Sequence, residues 1–540
     1  MKPTNPLVQP MLTDLYQLTM AYAYWKSGRH NDSAVFDLFF RKCPFKGEFA
    51  ICAGLEEVLK FVQNFKFTET DIEYLKTIMP GCDPEFFDWL SQIDCSEVKL
   101  YAVPEGTAVF PREPLIRVEG PLAVCQLLET TLLNLVNFAS LMTTNAARFR
   151  LAAGEQATLL EFGLRRAQGP DGALSAAKYA VMGGFNGTSN VLAGKLFNIP
   201  VKGTHAHAFV QSFTGLDNLT SLNFTTRDFK TVNFVDLVMK YRRELEWDNT
   251  NTGELVAFIA YAQAFPQGFL ALVDTYDTLN SGVKNFLLVA LALHDCGYQA
   301  LGIRLDSGDL AYLSKKSREL FVFVAHKYMI AYFARLIIAA SNDITVPGLL
   351  SMNQQGHEIN TFGIGTHAVT CQEQPAFGGV YKLVAINNQP RIKRSEDSGK
   401  ITLPGRKNVY RLYVKNPTKE DGVQAYLDLL TMADEPEPKI SVPIMCMHPF
   451  DTTKKVVVTA QKVKALHQLM WAGQLTKEGQ YELIRSLLDK RDIVKDELSH
   501  LRPDHLRTAN PSPYKVAVSP KLHGYLQELL QQTTIVPEVK

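Results

Sequence analysis

A histidine behind a Gly-Thr turn, an arginine two residues from an aspartate, and a threonine after a spaced glycine pair are the chemistry-bearing features of this 540-residue chain. In Pro200-Val-Lys-Gly-Thr-His-Ala-His-Ala208 an apolar lead-in delivers the Thr204 hydroxyl and the His207 imidazole to the rim of a sheet, where an imidazole either packs by hydrogen bonds or does catalysis. Ala300-Leu-Gly-Ile-Arg-Leu-Asp-Ser-Gly-Asp-Leu310 puts Arg304 and Asp306 on one side of a strand end. A guanidinium there can fork onto a carboxylate or phosphate, and the aspartate can accept from ribose hydroxyls or join a magnesium shell. A mutual Arg-Asp ion pair is the alternative. Gly363-Ile-Gly365-Thr366 offers backbone N–H groups to a phosphate. Glu161-Phe-Gly-Leu-Arg-Arg166 sets Phe162 beside Arg165, a pairing that suits a flat heteroaromatic anion or, equally, a core ring flanked by solvated arginines.

These residues need a scaffold, and after residue 156 the chain supplies a repeating pattern of short apolar strand, polar or glycine-rich loop, and helix-length segment. Strand ends are expected at Thr158 to Phe162, Val201 to Thr204, Phe269 to Asp274, Ala300 to Leu305, Leu336 to Ala340 and Ile359 to Ile364. That succession predicts an α/β fold in which a parallel sheet closes into an irregular, incomplete TIM-like barrel. Side chains at its carboxyl ends, Asp274 included, would then share one cavity. Three regions are expected: residues 1–120 as an N-terminal α/β domain, 121–390 as the barrel, and 391–540 as a segment that completes the first domain or caps the barrel.

Within that plan, Thr13 caps a helix that Gly28 stops, Ala34 to Phe40 is a strand, and Gly54 to Phe65 is helical. Thr70 with Glu73 forms a capping box, and Asp83-Pro84-Glu85 opens another helix. Leu122 to Phe138 is an amphipathic helix, and Phe321 to Ala340 is a buried helix running into a buried strand, since His326, Lys327 and Arg335 interrupt it. Beyond the basic run Arg391 to Arg394 come a strand at Asn408 to Val414, an exposed acidic connection at Thr418 to Glu437, a helix near Leu522 to Leu530 and a loose tail.

Apolar residues make up 46% and charged residues 21%, with 56 basic against 55 acidic, a balance that opposes bulk nucleic-acid binding. Eight scattered cysteines without a Cys-x-x-Cys pair read as reduced thiols, and the proline-broken start carries no signal-peptide run. A cytosolic, non-membrane protein is expected.

The motifs together resemble the nicotinate phosphoribosyltransferase family in its vertebrate-type form. The resemblance rests on Thr13-Asp-Leu-Tyr-Gln-Leu-Thr-Met20, Glu161 to Gly169, Gly203-Thr-His-Ala-His207, Val273-Asp-Thr-Tyr-Asp277, Arg304-Leu-Asp-Ser-Gly-Asp309, Phe362-Gly-Ile-Gly-Thr366 and Gly378-Gly-Val-Tyr-Lys-Leu383. It implies transfer of phosphoribosyl from 5-phosphoribosyl 1-diphosphate to nicotinate, giving nicotinate mononucleotide and diphosphate, coupled to ATP hydrolysis as an entry to NAD biosynthesis. It implies that His207 is transiently phosphorylated, that Arg304, Thr204 and Phe162 hold nicotinate, and that Thr366, Gly365, Gly363 and Arg165 hold the phosphoribosyl phosphates. Asp274 and Asp306 become candidates for ribose or for magnesium, with manganese as its substitute. Tyr16 would reach the pocket of a partner subunit, which makes the enzyme a homodimer. Two positions depart from the pattern: Ala208 stands where a serine often follows the histidine, and His205 where the residue is usually apolar.

The nearest rival is nicotinamide as substrate, but Gly183-Gly-Phe-Asn-Gly-Thr-Ser-Asn190 has no aspartate to accept from an amide, which favours the acid. A non-catalytic nucleotide-binding or signalling relative is the rival from another class. It would have no need of His207, Arg304, Asp306 and Thr366 together.

Overall fold

The computed structural model describes residues 1–393, 395 and 398–532, so Arg394 and the tail from 533 lie outside the described residues. Contacts divide the chain into two units, the first made of residues 1–147, 179–184 and 373–540 and the second of 148–178 and 185–372. The edges expected near 120 and 390 thus fall inside the first unit.

In the second unit six strands form one parallel sheet, in the order Leu270–Leu272, Gly302–Leu305, Ile337–Ala340, Thr361–Ile364, Thr158–Glu161 and Gly187–Thr188. Ile303, Leu305, Ile338, Ala340, Phe362 and Ile364 are all buried, as expected where helices cover a parallel sheet. The helix Val283–Asp295 has nearly every side chain inside. It begins right after a π-helical turn, Thr278–Gly282. Gly282 has to be glycine, because a Cβ there would sit 1.8 Å from the Val273 carbonyl oxygen.

Among the described residues the sheet does not close into a barrel. Val201 adds a single bridge to Thr188, and the chain then leaves the sheet, so the strand expected to run to Thr204 is one bridge long. At the opposite edge the Leu272 N–H, which a closing strand would take, donates instead to His205 Nε2 at 3.3 Å. A side chain satisfies the edge where a ladder was expected.

The first unit holds two six-stranded sheets. One is antiparallel, in the order Gln389–Pro390, Gly379–Ile386, Ser33–Phe40, Ile116–Pro121, Lys99–Ala102 and Gln468–Ala472. The other runs Lys455–Thr459, Pro443–Met447, Lys515–Val518, Val423–Met432, Lys407–Lys415 and Lys462–Ala465, with one parallel pair, Val423–Met432 beside Lys515–Val518. The acidic stretch expected as an exposed connection therefore contains a core strand. Its composition misled because Asp428 points inward, where Arg411 grips it from Nε and Nη2, at 2.9 and 2.6 Å, and the Tyr514 hydroxyl donates at 2.9 Å. Arg411 Nη1 also donates to Glu497 at 2.6 Å, and all three charged groups are buried.

Several local expectations shift by a residue or two. Asp14 rather than Thr13 precedes the first helix, Leu15–Lys26, while the Thr13 hydroxyl donates to Gln17. The capping box is Thr68 with Asp71, not Thr70 with Glu73. Past Pro121 come two helices, Leu122–Leu127 and Glu129–Ala153. By length and composition the stretch Leu122–Ala153 could cross a membrane, yet 61% of its apolar window is buried inside the protein, as a core helix would be. Phe321 to Ala340 is the end of the helix Leu310–Tyr328, a short turn of 3₁₀ helix and the strand Ile337–Ala340.

Candidate active site

Arg304 is the third residue of Gly302–Leu305 and is paired in register with Leu272 and Ala339 on the flanking strands. Residues paired across a sheet share a face, so the small Ala339 leaves room beside the guanidinium. The Arg304 Nη2 donates to the His205 carbonyl at 2.9 Å, and Nη1 lies 3.4 Å from the Thr204 hydroxyl, a residue 100 positions away. Nε is buried without a partner. Burial lowers the Arg304 pKa, with Asp306 and Asp274 opposing the shift and Arg165 adding to it, which places both carboxylates and a second guanidinium within electrostatic reach.

His207 opens the short helix His207–Gln211 and is partly exposed. Its Nδ1 is 3.0 Å from the Thr275 hydroxyl and its Nε2 is 3.7 Å from Asp306 Oδ2. Asp306 is oriented by the Ser341 hydroxyl, which donates to Oδ1 at 2.6 Å. Asp274 Oδ2 accepts from the Asp306 N–H at 3.2 Å and from the Ser307 hydroxyl, while Oδ1 is buried and unpartnered. Arg304, Asp306 and Asp274, at or just past strand ends, and His207, at the start of its short helix, therefore come together.

Among the described residues no group of three or more His, Cys, Asp or Glu side chains forms a metal cage. Asp274 and Asp306 fit a different arrangement, one or two carboxylates that share magnesium with substrate phosphates, and the free Oδ1 of Asp274 is an oxygen ready for that role.

Phe162 and Gly363 are coupled directly. Gly363 lies within the strand Thr361–Ile364, not in a loop, and a Cβ on it would come 2.4 Å from the Phe162 ring. Its missing side chain makes room for that ring. Gly365 precedes Thr366, the first residue of the four-residue helix Thr366–Val369. Arg165 is exposed on the 3₁₀ turn Leu164–Arg166. Beneath that turn Glu161 is fully buried, accepting from the Gly163 N–H and from the Thr188 hydroxyl. Tyr16 belongs to the first unit, on Leu15–Lys26, and is 46% exposed. It is not part of the second-unit cluster.

His205 accounts for one departure noted in the sequence. Its ring sits among Phe209, Phe258 and Tyr261, so burial, aided by Arg304, lowers its pKa from 6.5 to about 4. The folded state thus binds fewer protons than the unfolded one between those values, and stability falls as pH drops from 6.5 toward 4. His205→Gln keeps an acceptor for Leu272 and removes the titration. We expect the loss of stability between pH 7 and pH 5, measured by urea unfolding, to shrink by on the order of 2 kcal/mol. An unchanged pH dependence would show that His205 is charged in its pocket.

Residues 157–425 match the profile of the nicotinate phosphoribosyltransferase (NAPRTase) family, residues 11–137 its N-terminal domain and 406–526 its C-terminal domain. The chain is similar to proteins named nicotinate phosphoribosyltransferase, at 51% identity in Dictyostelium discoideum (100% of this chain, 91% of the relative) and 44% in Homo sapiens (96% of each). The crystal structure of human nicotinic acid phosphoribosyltransferase superposes with a TM-score of 0.84 at 41% identity, covering 96% of this chain and 99% of that one. The chain belongs to the nicotinate phosphoribosyltransferase family. In this family member the sequence reading passed over Thr275, Ser307 and Ser341, the hydroxyls that orient His207, Asp274 and Asp306. Their signal was position alone: each sits just past a strand end, Thr275 and Ser307 beside Asp274 and Asp306.

Proposed function

We propose that this family member transfers phosphoribosyl from 5-phosphoribosyl 1-diphosphate to nicotinate, releasing diphosphate, with ATP hydrolysis coupled through His207. The observation that carries the reading is the meeting of Arg304, Asp306 and Asp274, from adjoining strand ends, with Thr204 and His207 from the segment after Val201, and with guanidinium nitrogen left over for an anionic substrate. Nicotinate's carboxylate pairs with Arg304 and Thr204 while its ring lies against Phe162, and Arg165 with the Gly363 to Thr366 segment receives the phosphates. The ring nitrogen already carries a lone pair, so no general base is required. The protein's task is to align that nitrogen with ribose C1 and stabilise the departing diphosphate. Asp274 and Asp306 would hold magnesium, which supplies neutralising charge to the phosphates when bound.

For the coupling, a Thr275 hydroxyl that accepts from Nδ1–H leaves the Nε2 lone pair of His207 free. It attacks the γ-phosphorus of ATP, ADP departs, and water later takes the phosphoryl group. Ser341 positions Asp306 beside that nitrogen. The incomplete barrel serves to bring the strand ends to one cavity. Tyr16, exposed in the single chain, is offered to a second copy in a homodimer, and the eight free cysteines, mostly buried, suit the reducing cytosol.

The test is nucleotide formation from radiolabelled nicotinate, with nicotinamide in parallel and with or without ATP, on wild type and His207→Ala. Acid-specific product that ATP boosts in wild type alone is expected, with slower, ATP-indifferent transfer persisting in the variant. Product from neither base would overturn the reading.

A further inference from the structure

We propose that the first unit contains a second anion site, a cavity of about 870 Å³ lined by Arg41, Arg112, His448, Tyr426 and Lys515, which takes a small molecule bearing a di- or triphosphate. None of its lining residues belongs to the catalytic cluster of the second unit. Its charge is one-sided. Arg41, Arg112, Lys455 and Lys515 line it against the single lining carboxylate of Glu48, whose pKa burial raises, while Lys454 is paired with Asp451 at 3.0 Å.

The two arginines carry the argument. Both are half-buried, and a guanidinium nitrogen taken out of water is costly to leave without an acceptor. Yet the Nε of Arg41 is buried with no acceptor, and the charge that Arg112 feels is the like charge of Arg41. Arg112 also holds a left-handed backbone, φ 73°, and its guanidinium lies over the Phe450 ring at 4.5 Å. Such strain in a bulky residue concentrates at ligand sites. Two forks left without a carboxylate among the described residues are the complement of phosphate oxygens.

The remaining donors point the same way. His448 Nδ1 accepts the backbone N–H groups of Phe450 and Asp451, which fixes the ring proton on Nε2 and makes that nitrogen a donor. Lys515 lies over the Tyr426 ring, 4.3 Å from its centre, and donates to the Tyr426 hydroxyl at 3.1 Å. A lone carboxylate has two oxygens and cannot satisfy this many donors, whereas a phosphate chain can. The volume falls in the range of small-ligand pockets and leaves room for a group beyond the phosphates.

The experiment reads the two arginines directly and does not depend on turnover. Full-length protein is treated with phenylglyoxal, and the peptides containing Arg41 and Arg112 are quantified by mass spectrometry with added diphosphate, ATP, adenosine, or sodium chloride of matching ionic strength. We expect both arginines to react in the free protein. Diphosphate or ATP should cut labelling at least fivefold, and adenosine and chloride should leave it unchanged. Stronger protection by ATP than by diphosphate assigns a nucleotide, and equal protection assigns the phosphate chain alone. Protection of neither arginine, equal protection by chloride, or lack of reactivity in the free protein would each overturn the site. Lys515→Gln, at the cavity rim, is expected to raise the diphosphate concentration needed for half-protection about tenfold.

Discussion

Arg304→Ala is expected to lower kcat/KM for nicotinate about 10³-fold while leaving the fold intact, since a charge-assisted contact in a half-buried site is worth about 4 kcal/mol. The side chain's anchors, the His205 carbonyl and the Thr204 hydroxyl, are both neutral, so its removal orphans no charge there and stability should move little. Arg304→Lys keeps the charge but loses the fork, and about 10²-fold of the loss should remain. Steady-state kinetics with nicotinate as the varied substrate checks both. A variant that retains wild-type kcat/KM would remove Arg304 from substrate binding and leave it as a strand-end ion-pair residue.

Arg411→Met should strongly destabilise the first unit. It strips the cation from Asp428 and Glu497, both buried, and removing one member of such a group costs about 3–5 kcal/mol. Lys464 still reaches Glu497 at 2.6 Å, so Asp428 bears most of the penalty. Adding Asp428→Leu to the same protein should recover most of the loss, because an apolar pair replaces an orphaned charge. Urea unfolding followed by tryptophan fluorescence, to which Trp25, Trp89 and Trp471 of the first unit contribute alongside Trp247 of the second, provides the measurement. Equal destabilisation of the single and double variants would mean that shape, not charge, sets the cost.

The second unit was legible in the sequence because each parallel strand is a short apolar run that ends in a polar residue, and that signal is local. Five of the expected strand ends agree with the structure to within a residue or two. What failed was non-local. Nothing in Val201 to Thr204 reveals that His205 will cap the far edge of the sheet, because that contact spans 67 positions. The strand Val423–Met432 was hidden by Asp428, whose partner Arg411 lies on a neighbouring strand. Gly363 lies in a strand rather than a turn, and the space beside its Cα belongs to the Phe162 ring, a fit visible only in three dimensions. The hydroxyls of Thr275, Ser307 and Ser341 were missed because serine and threonine after a strand are common in any loop.

The threading of the first unit sets a schedule for synthesis. Ser33–Phe40 lies between Ile116–Pro121 and Gly379–Ile386, so one of its edges has no partner until the ribosome has passed residue 379. At about 5–20 residues per second that is a wait of roughly 13–50 s after residue 121 emerges. All of the second unit's chain is made in the interval. The later-encoded unit can therefore fold before the one that starts the chain, while an apolar strand edge stays exposed to chaperones or to a neighbouring nascent chain.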